Sequence, residues 1–276
     1  MTRARKRFGQ HFLEPAWQAK VLAACGVTAA DDVVEIGPGR GALTLPLVAA
    51  AARVLAIEVD RDLAAALVAR ALPTLRVVAG DFLDQDWDRL MADWARPTPR
   101  PVRVVGNLPY NLSTPILFRL LAIGAAPDLV RDATLMLQAE VAERLVAPPG
   151  TAEYGVLTLL TALQADVTPL LAVPPGAFRP VPAVHSALVR LSFRGLAPGV
   201  RSPGAVTRLV RAAFTQRRKT LGNALKALAT ADGLDAAAVL RTAGIDPRRR
   251  PETLQLLEFS ALADAWLAAS GPRPVL

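Results

Sequence analysis

Short apolar runs alternate with longer helical patterns along the first half of the chain. Five such pairs follow one another, and this rhythm is typical of a parallel sheet whose strands are joined by right-handed helical crossovers. The predicted strands are 32–37, 53–58, 75–79, 102–107 and 133–138, and the predicted helices are 41–51, 61–71, 86–94, 114–123 and 139–147. The pattern therefore predicts an α/β domain.

The pattern changes after the fifth pair. A helix is predicted near 154–164, and two strand-like stretches, 167–172 and 185–193, are predicted to form a hairpin that extends the sheet to seven strands. The prolines within residues 174–182 exclude a helix between these strands and would hold Phe178 rigidly at the lip of a pocket.

The chain is predicted to divide into two domains. Residues 1–194 form the α/β domain and include a basic arm over residues 1–20. Residues 195–204 have the Gly and Pro content of a linker, and residues 205–276 form a small helical domain. The predicted helices of this second domain are 205–216, 219–230, 235–243 and 255–269.

Composition agrees with a soluble enzyme. The chain has 276 residues and 52% of them are hydrophobic, which is enough for a substantial core. No uncharged apolar run is long enough to span a membrane and the basic N-terminus lacks the apolar segment of a secretion signal, so we expect a cytoplasmic protein without a membrane partner. The single Cys25 and two distant histidines, His11 and His185, predict neither an internal disulfide nor a metal site.

Positive charge is concentrated at the two ends of the chain. The formal net charge is +8, and only four of the 32 cationic residues are lysines, so most cations carry planar guanidinium groups that suit phosphates and bases. Basic runs at 3–7 and 214–219 predict two arms of a nucleic-acid footprint, the second at the start of a helix, with a solvated charged surface as the alternative. The residues predicted to contact RNA are Arg5, Lys6, Arg7, Arg217, Arg218 and Lys219.

Candidate chemistry follows the fourth strand, in Asn107-Leu108-Pro109-Tyr110. An aromatic amine attacks a methyl donor poorly, because its lone pair is delocalised into the ring, unless acceptors hold its hydrogens. The Asn107 side-chain oxygen and the Leu108 carbonyl, which Pro109 turns away from any ladder, can both accept from one NH2 group. Tyr110 could stack on the base, and catalysis then needs positioning and aimed dipoles rather than a strong base. The motif predicts methylation of a nucleobase, with a strand-end turn around a core tyrosine as the alternative.

A glycine-rich turn follows the first strand. Gly37, Gly39 and Gly41 lead from that strand into an apolar helix, which is typical of the first βα unit of a nucleotide-binding sheet. Glu58 closes the next apolar run, 21 residues beyond Gly37, where an acid would hold ribose hydroxyls. Because nicotinamide and flavin dinucleotides also contain ribose, a dehydrogenase stays open as an alternative at this point.

The third strand is followed by Asp81 and Phe82. An acceptor for an adenine amine and an apolar cover for its ring suit S-adenosylmethionine. Three polar strand ends in succession make ordinary solvated side chains a poor explanation. The residues therefore favour S-adenosylmethionine as the cofactor, without a metal.

Five segments of the chain resemble the bacterial small-subunit rRNA adenine dimethyltransferases. The segments are Lys6–Leu13, Glu35–Thr44, Asn107–Thr114, Phe178–Ser186 and Phe214–Leu225. The resemblance covers nearly the whole chain and implies a Rossmann-like class I methyltransferase fold. It also implies dimethylation of two adjacent adenosines in a hairpin loop near the 3′ end of 16S rRNA, within a precursor of the small ribosomal subunit.

The resemblance assigns roles to individual residues. This chain has His11 where the family usually has Asn, and an imidazole can still make one hydrogen bond there. A loop adenosine would leave its stack and enter the pocket between Tyr110 and Phe178. The residues implied to bind the donor are Gln10, His11, Leu13, Gly37, Glu58, Asp81 and Asn107.

Several other functions stay open. A large-subunit rRNA dimethylase would share the catalytic half, but residues 214–220 resemble the small-subunit enzymes. DNA adenine methyltransferases usually have Pro in place of Leu108, and a noncatalytic assembly factor would not need Glu58, Asp81 and Asn107. A dehydrogenase comes last because no Tyr-Lys or His-Asp proton relay is present. We expect a monomer without an obligate protein partner.

Overall fold

The chain forms two compact units. The first contains the residues up to 142 together with 166–195, and the second contains 143–165 together with the residues from 196 onward. The predicted first domain ran unbroken to residue 194, whereas the chain passes into the second unit and back before that point. In this computed structural model the described residues are 11–94, 100–126 and 128–271.

Two hydrogen bonds explain why residues 143–165 belong with the C-terminal helices. The Ala197 N–H donates to the Leu163 carbonyl at 2.7 Å, and the buried Tyr154 hydroxyl donates to the Leu254 carbonyl at 2.7 Å. Both contacts join residues that are far apart in sequence, which periodicity cannot reveal.

The helices and strands lie close to their predicted positions. From the N-terminal side, the chain contains β1 (Phe12–Leu13), α1 (Pro15–Cys25), β2 (Asp32–Ile36), α2 (Thr44–Ala50), β3 (Arg53–Glu58), α3 (Arg61–Val68), β4 (Leu75–Ala79), α4 (Trp87–Asp93), β5 (Val102–Asn107), α5 (Ser113–Gly124), β6 (Val130–Gln138) and α6 (Ala139–Val146). Then follow α7 (Val156–Ala162), β7 (Ala165–Val173), β8 (Phe178–Arg179), β9 (Ser186–Phe193), α8 (Pro203–Thr215), α9 (Leu221–Ala224), α10 (Lys226–Ala231), α11 (Ala236–Thr242) and α12 (Leu256–Ser270). No helix among the described residues combines the length and the apolar character needed to cross a membrane.

Seven strands form one sheet in the order β4-β3-β2-β5-β6-β9-β7. The five strands from β4 to β6 pair in parallel, and β9 runs antiparallel to β6. The predicted α/β fold with a mostly parallel sheet is confirmed, and β7 and β9 are neighbours at one edge, as predicted for the hairpin. Because parallel strands end along the same edge, the residues that follow β2, β3 and β5 meet there.

Helix α1 and strand β1 were not predicted, and they bring the N-terminal segment to the sheet. Pro15 occupies the first turn of α1, and Gly26 ends it in the left-handed conformation. Strand β1 pairs antiparallel with β8, so that Leu13 lies opposite Phe178. This clip holds the residues just before α1 against the proline-rich segment.

A buried charge cluster attaches α1 to the sheet. The Arg103 side chain of β5 donates to both carboxylate oxygens of Asp132 at 3.0 Å and to Asp31 at 3.3 Å. It also donates to the Cys25 and Gly26 carbonyls at the end of α1, at 2.7 and 2.6 Å. Its guanidinium group thus satisfies helix-end carbonyls and two buried acids together.

The second unit is helical. Phe214 of α8 and Phe259 of α12 place their ring centroids 6.4 Å apart, and the buried Trp266 indole donates to Asp232 at 2.8 Å. The single predicted helix 219–230 is divided into α9 and α10 at Leu225.

Candidate active site

A cleft that is open to solvent lies at the carboxyl edge of the sheet in the first unit, and its empty space, including that open solvent, is about 750 Å³. Its walls come from the segment around β1, the glycine-rich turn after β2, the end of β3 and the segment after β5. The lining residues are His11, Phe12, Leu13, Glu35, Gly37, Pro38, Gly39, Ala42, Leu43, Glu58, Val59, Asn107, Leu108, Pro109 and Tyr110. The cleft thus contains the predicted residues His11, Leu13, Gly37, Gly39, Glu58 and Asn107 to Tyr110.

The glycine turn requires glycine at two lining positions. Gly37 has φ of 68° and Gly39 has φ of 59°, a region that other residues adopt at a cost. A Cβ atom on Gly39 would also approach the Phe12 ring to 3.3 Å. The exposed Arg40 guanidinium lies over the same Phe12 ring, 4.3 Å from its centroid. The turn therefore brings backbone close to any bound ligand.

Glu58 holds this turn in place. Its two carboxylate oxygens accept the Asp60 N–H at 2.9 Å and the Gly39 N–H at 2.8 Å. Burial raises the pKa of Glu58, and these N–H groups oppose the increase. Each oxygen keeps a further lone pair, so the carboxylate can still accept hydroxyl groups of a ligand.

The orientation of the Asn107 carboxamide is fixed by a backbone oxygen. Its Nδ2 donates to the His11 carbonyl at 3.0 Å, and a carbonyl can only accept, so Oδ1 is the end left for a ligand. The Leu108 N–H donates to the Met136 carbonyl at 3.2 Å, which continues the ladder by one residue. Among the described residues, no hydrogen bond reaches the Leu108 carbonyl, in agreement with its predicted availability.

Tyr110 is held from two sides. Its hydroxyl shares a hydrogen bond of 2.8 Å with Ser186 Oγ, and its ring stacks on His11 with centroids 5.4 Å apart and planes at 25°. His11 Nδ1 in turn donates to the Pro180 carbonyl at 2.8 Å. His11 therefore links the β1 segment, the Asn107 motif and the proline-rich segment.

Glu35 is a site residue to which no role was given from the sequence. It lies near the end of β2, is 2% exposed, and belongs to the wall of the cleft. Burial raises its pKa to about 8, the Thr44 hydroxyl opposes the increase and Glu58 adds to it. The available signal was an acid between apolar residues, just before the glycine turn.

Asp81 and Phe82 do not line the cleft. The Asp81 carboxylate caps a short helical turn by accepting the Leu83 N–H at 2.9 Å. The Phe82 ring is buried against Trp87, with centroids 6.3 Å apart in an edge-on arrangement. The predicted apolar cover for an adenine ring is therefore not formed by Phe82, because this ring belongs to the protein interior.

Phe178 also lies outside the cleft, which corrects its predicted place at the lip. Its side chain is 1% exposed and belongs to the core cluster that contains Leu13, Val21 and Cys25. The pairing of β8 with β1 turns the ring inward, so it cannot stack on a base in this conformation. Phe178 therefore packs in the protein core.

We expect a Phe178→Leu variant to lose about 1 kcal/mol of stability, the usual cost of a moderate change of shape in a packed core. The rate of methyl transfer should be unaltered at saturating substrates, because Phe178 does not contact the cleft. Urea unfolding and single-turnover kinetics measure the two effects. A large loss of rate with little loss of stability would return Phe178 to the site.

The predicted RNA-binding residues have different surroundings. Arg217 donates to the Ala152 and Thr151 carbonyls at 2.6 and 2.8 Å, so its guanidinium stabilises the loop that contains these two residues. Arg218 and Lys219 are exposed. All three lie in the turn that follows α8 rather than at the start of a helix, because α8 ends at Thr215. The predicted residues Arg5, Lys6, Arg7 and Gln10 lie outside the described residues.

Comparison with known proteins identifies the family. A family model described as ribosomal RNA adenine dimethylase matches residues 1–262. The chain belongs to the ribosomal RNA adenine dimethylase family. The ribosomal RNA small subunit methyltransferase A of Nitrosococcus oceani is 48% identical to it over 273 residues, with 97% of each chain covered. That of Acinetobacter baylyi is 46% identical over 266 residues, with 95% of this chain and 92% of the relative covered.

Solved structures agree with this assignment. A dimethyladenosine transferase from Plasmodium falciparum superposes with a TM-score of 0.71 at 26% identity, covering 91% of this chain and 96% of that one. The 23S rRNA methyltransferase ErmE superposes with a TM-score of 0.63 at 26% identity, covering 92% and 98%. The family and the methyltransferase fold predicted from the motifs are confirmed.

Proposed function

We propose that this protein transfers methyl groups from S-adenosylmethionine to the exocyclic amines of two adjacent adenosines of 16S rRNA. The target is a hairpin loop near the 3′ end, in a precursor of the small ribosomal subunit. Support for this substrate comes from relatives named as small-subunit methyltransferases that are 43–48% identical over nearly the whole chain.

The fixed orientation of the Asn107 carboxamide carries the proposal. Its NH2 group is occupied by the His11 carbonyl, so its oxygen is the end available in the cleft. An adenine amine needs acceptors for its two hydrogens, and the Asn107 oxygen and the Leu108 carbonyl are two acceptors on adjacent residues. No strong base is needed, because the amine becomes acidic only after it has gained the methyl group.

The residues of the cleft fit the methyl donor. Gly37 and Gly39 leave room for a ligand beside the turn, and Glu58 has lone pairs left for ribose hydroxyls. Glu35 Oε2 is a buried acceptor without a hydrogen-bond partner among the described residues. When bound, S-adenosylmethionine supplies an electrophilic methyl group on a positively charged sulfur.

The position of Tyr110 suits an extruded base. Taking a loop base out of its stack costs only a few kcal/mol, which makes a hairpin loop a less costly target than a duplex. Tyr110 is already stacked on His11 beside Asn107, so an adenine entering the cleft would join an existing aromatic stack.

The proposal is tested with methyl-labelled S-adenosylmethionine and small ribosomal subunits that lack the modification. Nucleoside analysis is expected to find label in dimethyladenosine at two adjacent positions of the small-subunit RNA. Label that enters only large-subunit RNA would assign the protein to the other rRNA substrate. Donor binding without any transfer to small subunits would instead favour a noncatalytic role in assembly.

Replacing Arg218 and Lys219 together with alanine is expected to weaken binding to small-subunit RNA. If each cation neutralises one phosphate, the slope of log K against log salt concentration should fall by about 2. Arg70→Ala combined with Arg241→Ala removes two exposed cations outside this turn and should leave the slope unchanged. Equal slopes for the two double variants would make Arg218 and Lys219 an ordinary solvated surface.

A further inference from the structure

The carboxyl group of Glu35 lies in the wall of the cleft, and within the described part of the chain no ion pair reaches it. Its Oε2 atom is buried and has no hydrogen-bond partner among the described residues. A buried carboxylate with neither a cation nor enough donors is strongly disfavoured, so the group is neutral in the free protein. Burial raises its pKa to about 8, opposed by the Thr44 hydroxyl and assisted by the nearby carboxylate of Glu58.

Glu58 shows by contrast how an acid of this cleft is normally satisfied. Both of its oxygens accept backbone N–H groups, from Asp60 and Gly39. It is therefore already engaged in holding the glycine turn. Glu35 lies on β2, beside β3, and two residues before Gly37. Among the described residues, its Oε2 atom accepts no hydrogen bond, unlike the two oxygens of Glu58.

The groups that face Glu35 from α1 do not supply a counter-charge. Cys25 is buried, and burial raises the pKa of its thiol to about 11, so the thiol is neutral at physiological pH. Arg103 and Arg190 both act on Cys25, but they donate to carbonyl oxygens at the end of α1, and Arg103 also pairs with Asp132.

The titratable groups that line the cleft do not supply a positive counter-charge for Glu35 either. Burial raises the pKa of the Tyr110 phenol, which therefore stays neutral. His11 lines the cleft, and its Nδ1 is engaged with the Pro180 carbonyl. Glu58 is itself an acid that raises the pKa of Glu35 further, so it supplies no positive charge. A ligand that brings positive charge into this cleft thus meets Glu35 as an unpaired acid.

We propose that Glu35 is the counter-charge for the methyl donor and that donor binding expels the proton from its carboxyl group into solvent. The inference rests on the proposed function, since S-adenosylmethionine carries a positive sulfonium and a positive ammonium group. A cation beside the carboxyl group favours its ionised form. Donor binding and loss of this proton are therefore linked.

The direction of the pH dependence follows from this linkage. The free carboxyl group is protonated below its raised pKa of about 8, whereas the donor selects the ionised form, so affinity increases with pH in this range. Between pH 6 and 7 both positive charges of the donor persist, and the dissociation constant should fall about tenfold. At pH 7 about 0.9 protons should be released for each donor bound.

The test is titration calorimetry of the full-length protein with S-adenosylmethionine at pH 7, in two buffers that differ in ionisation enthalpy. The difference between the observed heats gives the number of protons released. Glu35→Gln has the shape of the protonated acid and should bind the donor more weakly, without releasing a proton and without pH dependence between pH 6 and 7. His11→Asn removes the imidazole that lines the cleft and should release as many protons per donor bound as the parent protein.

Three outcomes are distinguishable. Proton release by the parent protein and by His11→Asn, but not by Glu35→Gln, supports the inference. Donor binding by the parent without proton release, or equal release by the Glu35→Gln variant, overturns it and leaves the donor assignment intact. Failure of the parent to bind S-adenosylmethionine in either buffer overturns the proposed function. If Glu35→Gln does not fold in thermal unfolding, proton release by the parent and by His11→Asn decides.

Discussion

Replacing Asn107 with alanine is expected to lower the rate of methyl transfer by roughly tenfold to a thousandfold, the range for losing one aimed polar group in an active site. The variant loses the acceptor that holds one hydrogen of the adenine amine. The Leu108 carbonyl remains, so transfer should be slowed rather than abolished. Single-turnover experiments with small ribosomal subunits and labelled S-adenosylmethionine measure the rate directly.

Two controls separate this chemical role from a structural one. Asn107 also donates to the His11 carbonyl, so the rate must be compared at saturating donor, with the dissociation constant of the donor measured for each variant. Asn111→Ala changes an exposed asparagine of the same segment and should keep nearly the parental rate. Near-parental turnover in Asn107→Ala, with normal donor affinity, would remove Asn107 from the mechanism.

Much of the candidate site could be predicted because it follows the ends of parallel strands. Gly37 follows β2, and Glu58 and Asn107 are the last residues of β3 and β5. Because these parallel strands are neighbours, their ends lie along one edge of the sheet, whatever helices connect them. Local sequence therefore sufficed to place these three residues in the same cleft.

The errors concern side chains whose direction depends on distant partners. Phe178 was expected at a pocket lip, but the pairing of β8 with β1, more than 160 residues away in sequence, turns it into the core. Phe82 was expected over a ligand, but Trp87 provides a buried aromatic contact five residues later. Aromatic residues can cover a ligand or fill a core, and their sequence position does not decide between these roles.

Glu35 and Arg103 were not assigned for a related reason. An acid or an arginine inside an apolar strand conflicts with its surroundings until its partners are known. Arg103 finds Asp31, Asp132 and the end of α1, and none of these contacts follows from periodicity. Within residues 11–94, 100–126 and 128–271, Glu35 has no such set of partners, and this difference is visible only in three dimensions.

Arg103→Ala is expected to lower the free energy of unfolding by about 3–5 kcal/mol, the usual cost of removing one member of a buried ion pair. The side chain of Arg103 is only 5% exposed, and its removal leaves Asp31 and Asp132 buried with fewer donors. Burial by itself would raise the pKa of Asp31, but bonds from Thr28 and the charges of Arg131 and Arg103 lower it below its ordinary value. The stability that comes from the lowered pKa of Asp31 is therefore fully present above the ordinary pKa of an aspartate. It is lost as pH falls through the lowered pKa of Asp31.

Arg131→Ala is the matched control, because Arg131 reaches the same Asp31 and Asp132 from the surface with its side chain 51% exposed. An exposed pair contributes at most about 1 kcal/mol, so urea unfolding at pH 7 should separate the two variants clearly. Arg103 also binds the Cys25 and Gly26 carbonyls at the end of α1, and α1 begins two residues after Leu13, which lines the cleft. The Arg103→Ala variant should therefore also bind S-adenosylmethionine more weakly under conditions where it remains folded, whereas Arg131→Ala should not. Equal losses of stability in the two variants would mean that the buried guanidinium is replaceable by water, and α1 would then be held by apolar packing alone.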